Sequence, residues 1–212
     1  MPNAYLLVEG KNDQHVIWAL CQQHQLPETF SVEIPRSREG IEGLLDVLPV
    51  RLSARGLKAL GVVVDADQDL LARWQALKDR LTARGHVDIP TTPPASGWVS
   101  SQPELPRVGV WLMPDNQLPG MLEDFVRYLI PPDDALRPKA EAILQEIEQA
   151  NLNRYKLAHH PKALIHTWLA WQETPGMPMG QAITARALRH DSPTALSFVA
   201  WLKRLFELSP AQ

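Results

Sequence analysis

Two aspartates, Asp65 and Asp67, follow the apolar run Leu60-Gly61-Val62-Val63-Val64. Carboxylates at that spacing offer hard oxygen donors, the ligand type suited to Mg²⁺ or Mn²⁺. A second acidic group follows another apolar run, where Tyr5-Leu6-Leu7-Val8 leads into Glu9-Gly10-Lys11-Asn12-Asp13. A carboxylate at the end of a buried strand is costly unless paired or bound to a cation, so Glu9 is expected at a site. Gly10 beside it would permit a tight turn and close ligand approach. Asp13 has a commoner alternative role, because a carboxylate at a helix start caps free N–H groups and complements the helix dipole.

The elements that must position these groups alternate. Short β-branched runs bounded by polar residues read as buried strands at 4–8, 30–34, 58–64 and 108–113. Between them, helical spacing of apolar residues predicts helices near 13–25, from Ile41 to Leu48, and near 69–84 with Gly85 as a stop. Pro49 is expected to kink or end the second. This βαβαβα order implies a mainly parallel sheet, whose carboxyl edge is where open α/β folds bind ligands. Five prolines between Gly85 and Arg107 predict a long loop with short edge strands around Ile89 and Trp98-Val99.

Beyond Pro131-Pro132 the pattern becomes helical, at 133–150, 162–172 and 194–208, punctuated by the Pro/Gly-rich stretch 174–180. The expected organisation is an α/β domain over 1–131 and a helical C-terminal extension over 132–212 packed on it. Trp168, Trp171, Phe198, Trp201, Leu202 and Phe206 are its expected core.

Composition frames these sites. The 212 residues are 45% hydrophobic and 21% charged, as in a globular protein. A charged segment followed by a signal-like apolar run is missing at the N-terminus, and no apolar stretch reaches the length of a membrane span. The expectation is a cytoplasmic protein with no membrane partner. Cys21, the single cysteine, falls on the apolar side of the first helix and reads as a buried thiol. Charge is uneven: residues 1–136 hold 12 Lys/Arg against 18 Asp/Glu, residues 137–212 hold 9 against 6. The acids lie where the cations are expected, and a basic C-terminal part could help hold a polyanion.

Leu7-Val8-Glu9-Gly10-Lys11-Asn12-Asp13 followed by Gly61-Val62-Val63-Val64-Asp65-Ala66-Asp67 resembles the Toprim domain, the metal-binding fold of topoisomerases, DnaG-type primases and OLD-family nucleases. The resemblance spans about residues 4–130. Met113-Pro114-Asp115-Asn116, Gly120-Met121-Leu122-Glu123-Asp124-Phe125 and His166-Thr167-Trp168-Leu169-Ala170-Trp171-Gln172 are similar to small stand-alone bacterial Toprim-related proteins. The resemblance implies a Toprim-like, Rossmann-like sheet, acid/base or metal-binding work for Glu9, and Mg²⁺ held by Asp65 and Asp67. Similarity to the OLD-type nucleases adds Asp13 and Glu123, with Asp124 as a further ligand, and so a two-metal set acting on phosphodiesters of DNA or RNA. It also implies a lysine assisting phosphate charge; Lys162 is the first choice and Lys156 the second, against the bland reading of a solvated helix-end cation. His159, His160 and His166 have no zinc-ligand spacing and read as capping or packing groups.

No phosphate-binding Gly-x-x-x-x-Gly-Lys-[Ser/Thr] motif occurs, so no ATPase activity is expected of the chain itself; the resemblance implies a separately encoded partner ATPase and a setting in repair or phage defence. The expected function is Mg²⁺- or Mn²⁺-dependent nucleic-acid hydrolysis. One alternative is a non-catalytic Toprim module binding metal, a nucleotide or a partner protein. Another is a haloacid-dehalogenase-type phosphatase with Asp65 as nucleophile. Asp69, where that family carries Thr or Val, and the upstream Glu9 argue against it. The tyrosines Tyr5, Tyr128 and Tyr155 read as buried and are not strand-cleaving candidates.

Overall fold

The computed structural model describes residues 3–35, 38, 40–100 and 102–208. Its core is a five-stranded sheet built from β1 (Ala4–Val8), β2 (Ser31–Glu33), β3 (Ala59–Asp65), β4 (Trp98–Ser100) and β5 (Arg107–Met113), in the order β2-β1-β3-β5-β4. All neighbours are parallel except β4, which runs antiparallel to β5 at the edge. Central strands β1, β3 and β5 are apolar on both faces, as expected for a sheet covered on each side.

On one face, Leu7, Leu60, Val62, Val64, Val110 and Leu112 pack under α2 (Ile41–Leu52) and α3 (Leu70–Thr82). On the other, Leu6, Val8, Val63, Trp111 and Met113 join a larger core. That core takes in α1 (Lys11–Gln23), α4 (Leu122–Arg127), α5 (Leu136–Gln149), α6 (His160–Ala170), α7 (Met179–Thr184) and α8 (Pro193–Phe206). The C-terminal helices therefore share one hydrophobic core with the sheet. α8 lies close over it because Gly61 and Gly109 have no side chain: a Cβ at either would come within 2.8 or 2.9 Å of Leu205.

Several expectations need correction. Pro49 does not end α2, which runs on to Leu52. The carbonyl of Leu45, left without its intrahelical donor by the proline, instead accepts Arg80 Nε from α3 at 3.1 Å. Ile89 is in no strand, and Met179–Thr184 inside the Pro/Gly-rich region forms a helix after Pro178. Trp171 is 38% exposed, because it follows the last turn of α6, whereas Trp168, Phe198, Trp201 and Leu202 are buried. Tyr128, also read as buried, is half-exposed at the C-terminal end of α4. Cys21 is largely covered, and burial pushes its thiol up to about 12.

Among the described residues, no helix is long and apolar enough to cross a membrane.

Close packing of α1 on α7 places Asp13. Gly180 of α7 sits where a Cβ would meet the backbone oxygen of His15 at 2.6 Å, and backbone cannot rotate away as a side chain can. Gly180→Ala is therefore expected to destabilise the fold by about 1–3 kcal/mol, the usual cost of overpacking, as measured by urea denaturation.

Candidate metal centre

Parallel pairing aligns Val8 with Val63, so Glu9 leaves β1 beside the end of β3. The junction is fixed by hydrogen bonds. The Asp65 amide donates to Glu9 Oε1 at 2.8 Å, and the Gly40 amide donates to the Glu9 carbonyl at 2.9 Å. Gly40, with φ 85, turns the chain into α2 in a conformation that suits glycine. The Leu122 amide at the start of α4 donates to Asp65 Oδ1 at 2.9 Å, which brings the next residue, Glu123, over the same edge. Asp13 arrives from the first turn of α1, after a bend at Glu9–Gly10 in which the N-cap Gly10 is extended backbone.

Glu9, Asp13, Asp65 and Glu123 thus line one cleft of about 380 Å³ together with Lys162. Asp13 and Glu123 are only 7% and 3% exposed. Lys162 Nζ stands 3.7 Å from Glu123 Oε1, but its side chain is half-exposed and screens the cluster only in part. Burial, then the charges of Glu9 and Glu123, raise Asp13 to about 7. Burial, followed by Asp13, Glu9, Glu123 and Asp67, lifts Asp65 well above its ordinary value. Burial also raises Glu9, although the Asp65 amide, Arg73 and the Ile41 amide oppose it and Asp67 adds to it. The charged forms of Glu9, Asp13 and Asp65 are therefore held at a cost.

Asp67 and Asp124 lie apart from that cleft. Asp67 has φ 53, donates its amide to Gly120 O at 2.8 Å, and ion-pairs with Arg73 of α3. Asp124 Oδ2 accepts the Met121 amide at 3.0 Å, capping α4, and burial raises its pKa. Asp69 is the N-cap of α3, accepting the Ala72 amide at 2.9 Å. Among the histidines, His160 Nδ1 is 2.7 Å from Glu148 Oε1, which also accepts Tyr155 Oη at 2.7 Å, while His159 and His166 are exposed. Lys156 is exposed before the 3-10 turn Leu157–His159 and does not line the acidic cleft.

Arg73 was not anticipated from the sequence. Its position six residues after Asp67, in the first turn of the following helix, is the signal that could have found it.

The donor set fits a hard divalent cation in chemistry: buried carboxylate oxygens, with no His or Cys lining the acidic cleft. Glu9, Asp13, Asp65 and Glu123 would hold it. They are neighbours rather than a closed cage, since among the described residues no three His, Cys, Asp or Glu side chains gather tightly enough to hold a metal ion.

No curated protein and no solved structure matches the chain. A family described as Protein of unknown function (DUF3226) matches residues 3–207, nearly the full length, and the chain belongs to that family.

Proposed function

We propose that the protein is a Toprim-type, Mg²⁺- or Mn²⁺-dependent hydrolase of nucleic-acid phosphodiesters. The observation that carries this reading is the convergence of Glu9, Asp13, Asp65 and Glu123 from strand ends and helix starts on the carboxyl edge of a parallel sheet. Four carboxylates crowded there cost stability, and a divalent cation is the partner that would offset their charge. Bound there, the cation would supply Lewis acidity toward a phosphoryl oxygen and lower the pKa of a coordinated water.

The chain's own residues do the rest. The Asp65 amide orients Glu9, and the Leu122 amide orients Asp65. Asp13, which burial raises to about 7 in the metal-free protein, would give up its proton as the cation binds. Lys162, half-exposed and 3.7 Å from Glu123 Oε1, would meet developing phosphate charge.

The test is degradation of supercoiled, linear and single-stranded substrates with Mg²⁺ or Mn²⁺ by wild type and Asp65→Ala. Wild type is expected to cleave at least one substrate, and Asp65→Ala to lose at least ~100-fold while staying folded by circular dichroism; loss of a metal ligand should exceed the 10–100-fold typical of a supporting residue. Equal cleavage by both proteins would sink the reading. A second reading, a non-catalytic module binding metal or a nucleotide, is favoured by the pairing of Asp67 with Arg73 and by the open spacing of the donors. Cation-dependent stabilisation without cleavage of any substrate would support it, whereas aryl-phosphate hydrolysis without nuclease activity would favour a phosphatase.

A further inference from the structure

Beside the acidic cleft lies a second one of about 780 Å³. The two are neighbours because the same three chain segments line both: 65–67, 119–123 and 158–162. Where the first is walled by carboxylates, the second is lined in part by Ala72 and Ala76 of α3 and by Pro161, apolar groups against which a sugar or base can pack. Arg73 of the same helix also lines it.

The state of Arg73 is unusual. Its stem is covered, with the side chain 15% exposed, and Nη2 is engaged by Asp67. Nε is buried and has no hydrogen-bond partner among the described residues. A buried guanidinium N–H without an acceptor is expensive, and a side-on oxyanion that takes Nε and Nη2 together is the geometry that relieves it. Asp67, its present partner, is half-exposed and stands two residues from Asp65. The Asp67 charge acts on Asp65 and Glu9 across the short distance between the clefts, so a cation bound beside Asp65 would compete with Arg73 for it. The other acids of this cleft are committed: Asp69 to the Ala72 amide and Asp124 to the Met121 amide.

We infer that the second cleft seats the polynucleotide strand next to the scissile phosphodiester, and that Arg73 is its phosphate-binding residue, held by Asp67 until a cation draws Asp67 away. This rests on the hydrolytic reading above. It makes strand binding depend on a divalent cation, although the contact itself is made by an arginine.

The experiment is fluorescence anisotropy of labelled single-stranded DNA and RNA oligonucleotides of one sequence, in Ca²⁺ and in EDTA, with melting curves of each protein under both conditions. Charge-assisted hydrogen bonds of about 1.5–3 kcal/mol correspond to about 10- to 100-fold in affinity, so Arg73→Ala is expected to weaken binding in Ca²⁺ by that factor while keeping its cation-induced rise in melting temperature. Asp67→Asn is expected to bind the oligonucleotide in EDTA more tightly than wild type. If Arg73→Ala fails to fold, Arg73→Lys, which keeps the apolar stem, should still lose several-fold. Wild-type affinity in the folded Arg73 variant, with the cation response intact, overturns the role of Arg73 and leaves the hydrolytic reading standing. Absence of any cation response in wild type overturns both. Whichever oligonucleotide binds more tightly identifies the strand as DNA or RNA.

Discussion

Glu123→Gln is expected to remove nearly all cation-dependent hydrolysis and, in the same protein, to raise the melting temperature without metal. Glu123 sits at the start of α4, 3% exposed, with Lys162 as its ion-pair partner. Its charge is among the causes that raise both Asp13 and Asp65. Glutamine keeps the shape and removes the charge, so those two groups ionise at lower cost. Lys162 loses a partner, but a half-exposed lysine regains water and the loss is small. The activity falls because one of the few buried oxygen donors is replaced by a poor cation ligand, a loss expected to exceed ~100-fold. Kinetics with Mn²⁺ and a thermal melt in EDTA check both halves. Near-normal cleavage would remove Glu123 from the ligand set; a lowered metal-free melting temperature would mean that the cluster is not under repulsive load.

The second large effect is on pH dependence. Asp13 is raised from 3.8 to about 7, so the folded protein holds a proton that the unfolded chain has released. Stability from that proton is fully present below about pH 4 and is lost as pH rises through 7. The effect of Asp13 alone is on the order of 2–4 kcal/mol, at ~1.4 kcal/mol for each tenfold change in its ionisation equilibrium. Glu9 and Asp65, also raised, act in the same direction. Metal-free protein should therefore lose stability from pH 5 to 8, and Asp13→Asn should flatten that slope. With millimolar Mg²⁺ the trend should shrink or reverse, because the cation binds the deprotonated carboxylates and stabilises only the folded form. Denaturant titrations at pH 5, 6.5 and 8, with and without Mg²⁺, measure it. A flat metal-free profile, or equal Mg²⁺ stabilisation at pH 5 and 8, would contradict the coupling.

Much of this arrangement was legible in the chain because parallel strands are covered on both faces. Their apolar runs stand out, and the acids that end them must emerge at one sheet edge, which is how Glu9 and Asp65 could be paired across 56 residues. The parts that were not legible depended on partners distant in sequence. Arg80 serves the Leu45 carbonyl that Pro49 orphans, and no local rule reports that. The helix at Met179–Thr184 hides in a Pro/Gly-rich stretch and exists by packing on α1 through Gly180. Spacing placed Asp67 with Asp65, but a strand end does not dictate the direction the chain takes next: at φ 53 it turns Asp67 toward Arg73. Glu123 and Asp124 are adjacent, yet one enters the cleft and the other caps its own helix, a division made by the Leu122–Asp65 hydrogen bond.

The central claim is that the four carboxylates are a divalent-cation centre. Anomalous diffraction from crystals of the protein soaked in Mn²⁺, recorded at the manganese edge, tests it most directly. The account predicts a manganese peak bounded by Glu9, Asp13, Asp65 and Glu123, absent from crystals of Asp65→Ala; no peak there in wild type, or manganese only at surface carboxylates, would contradict it.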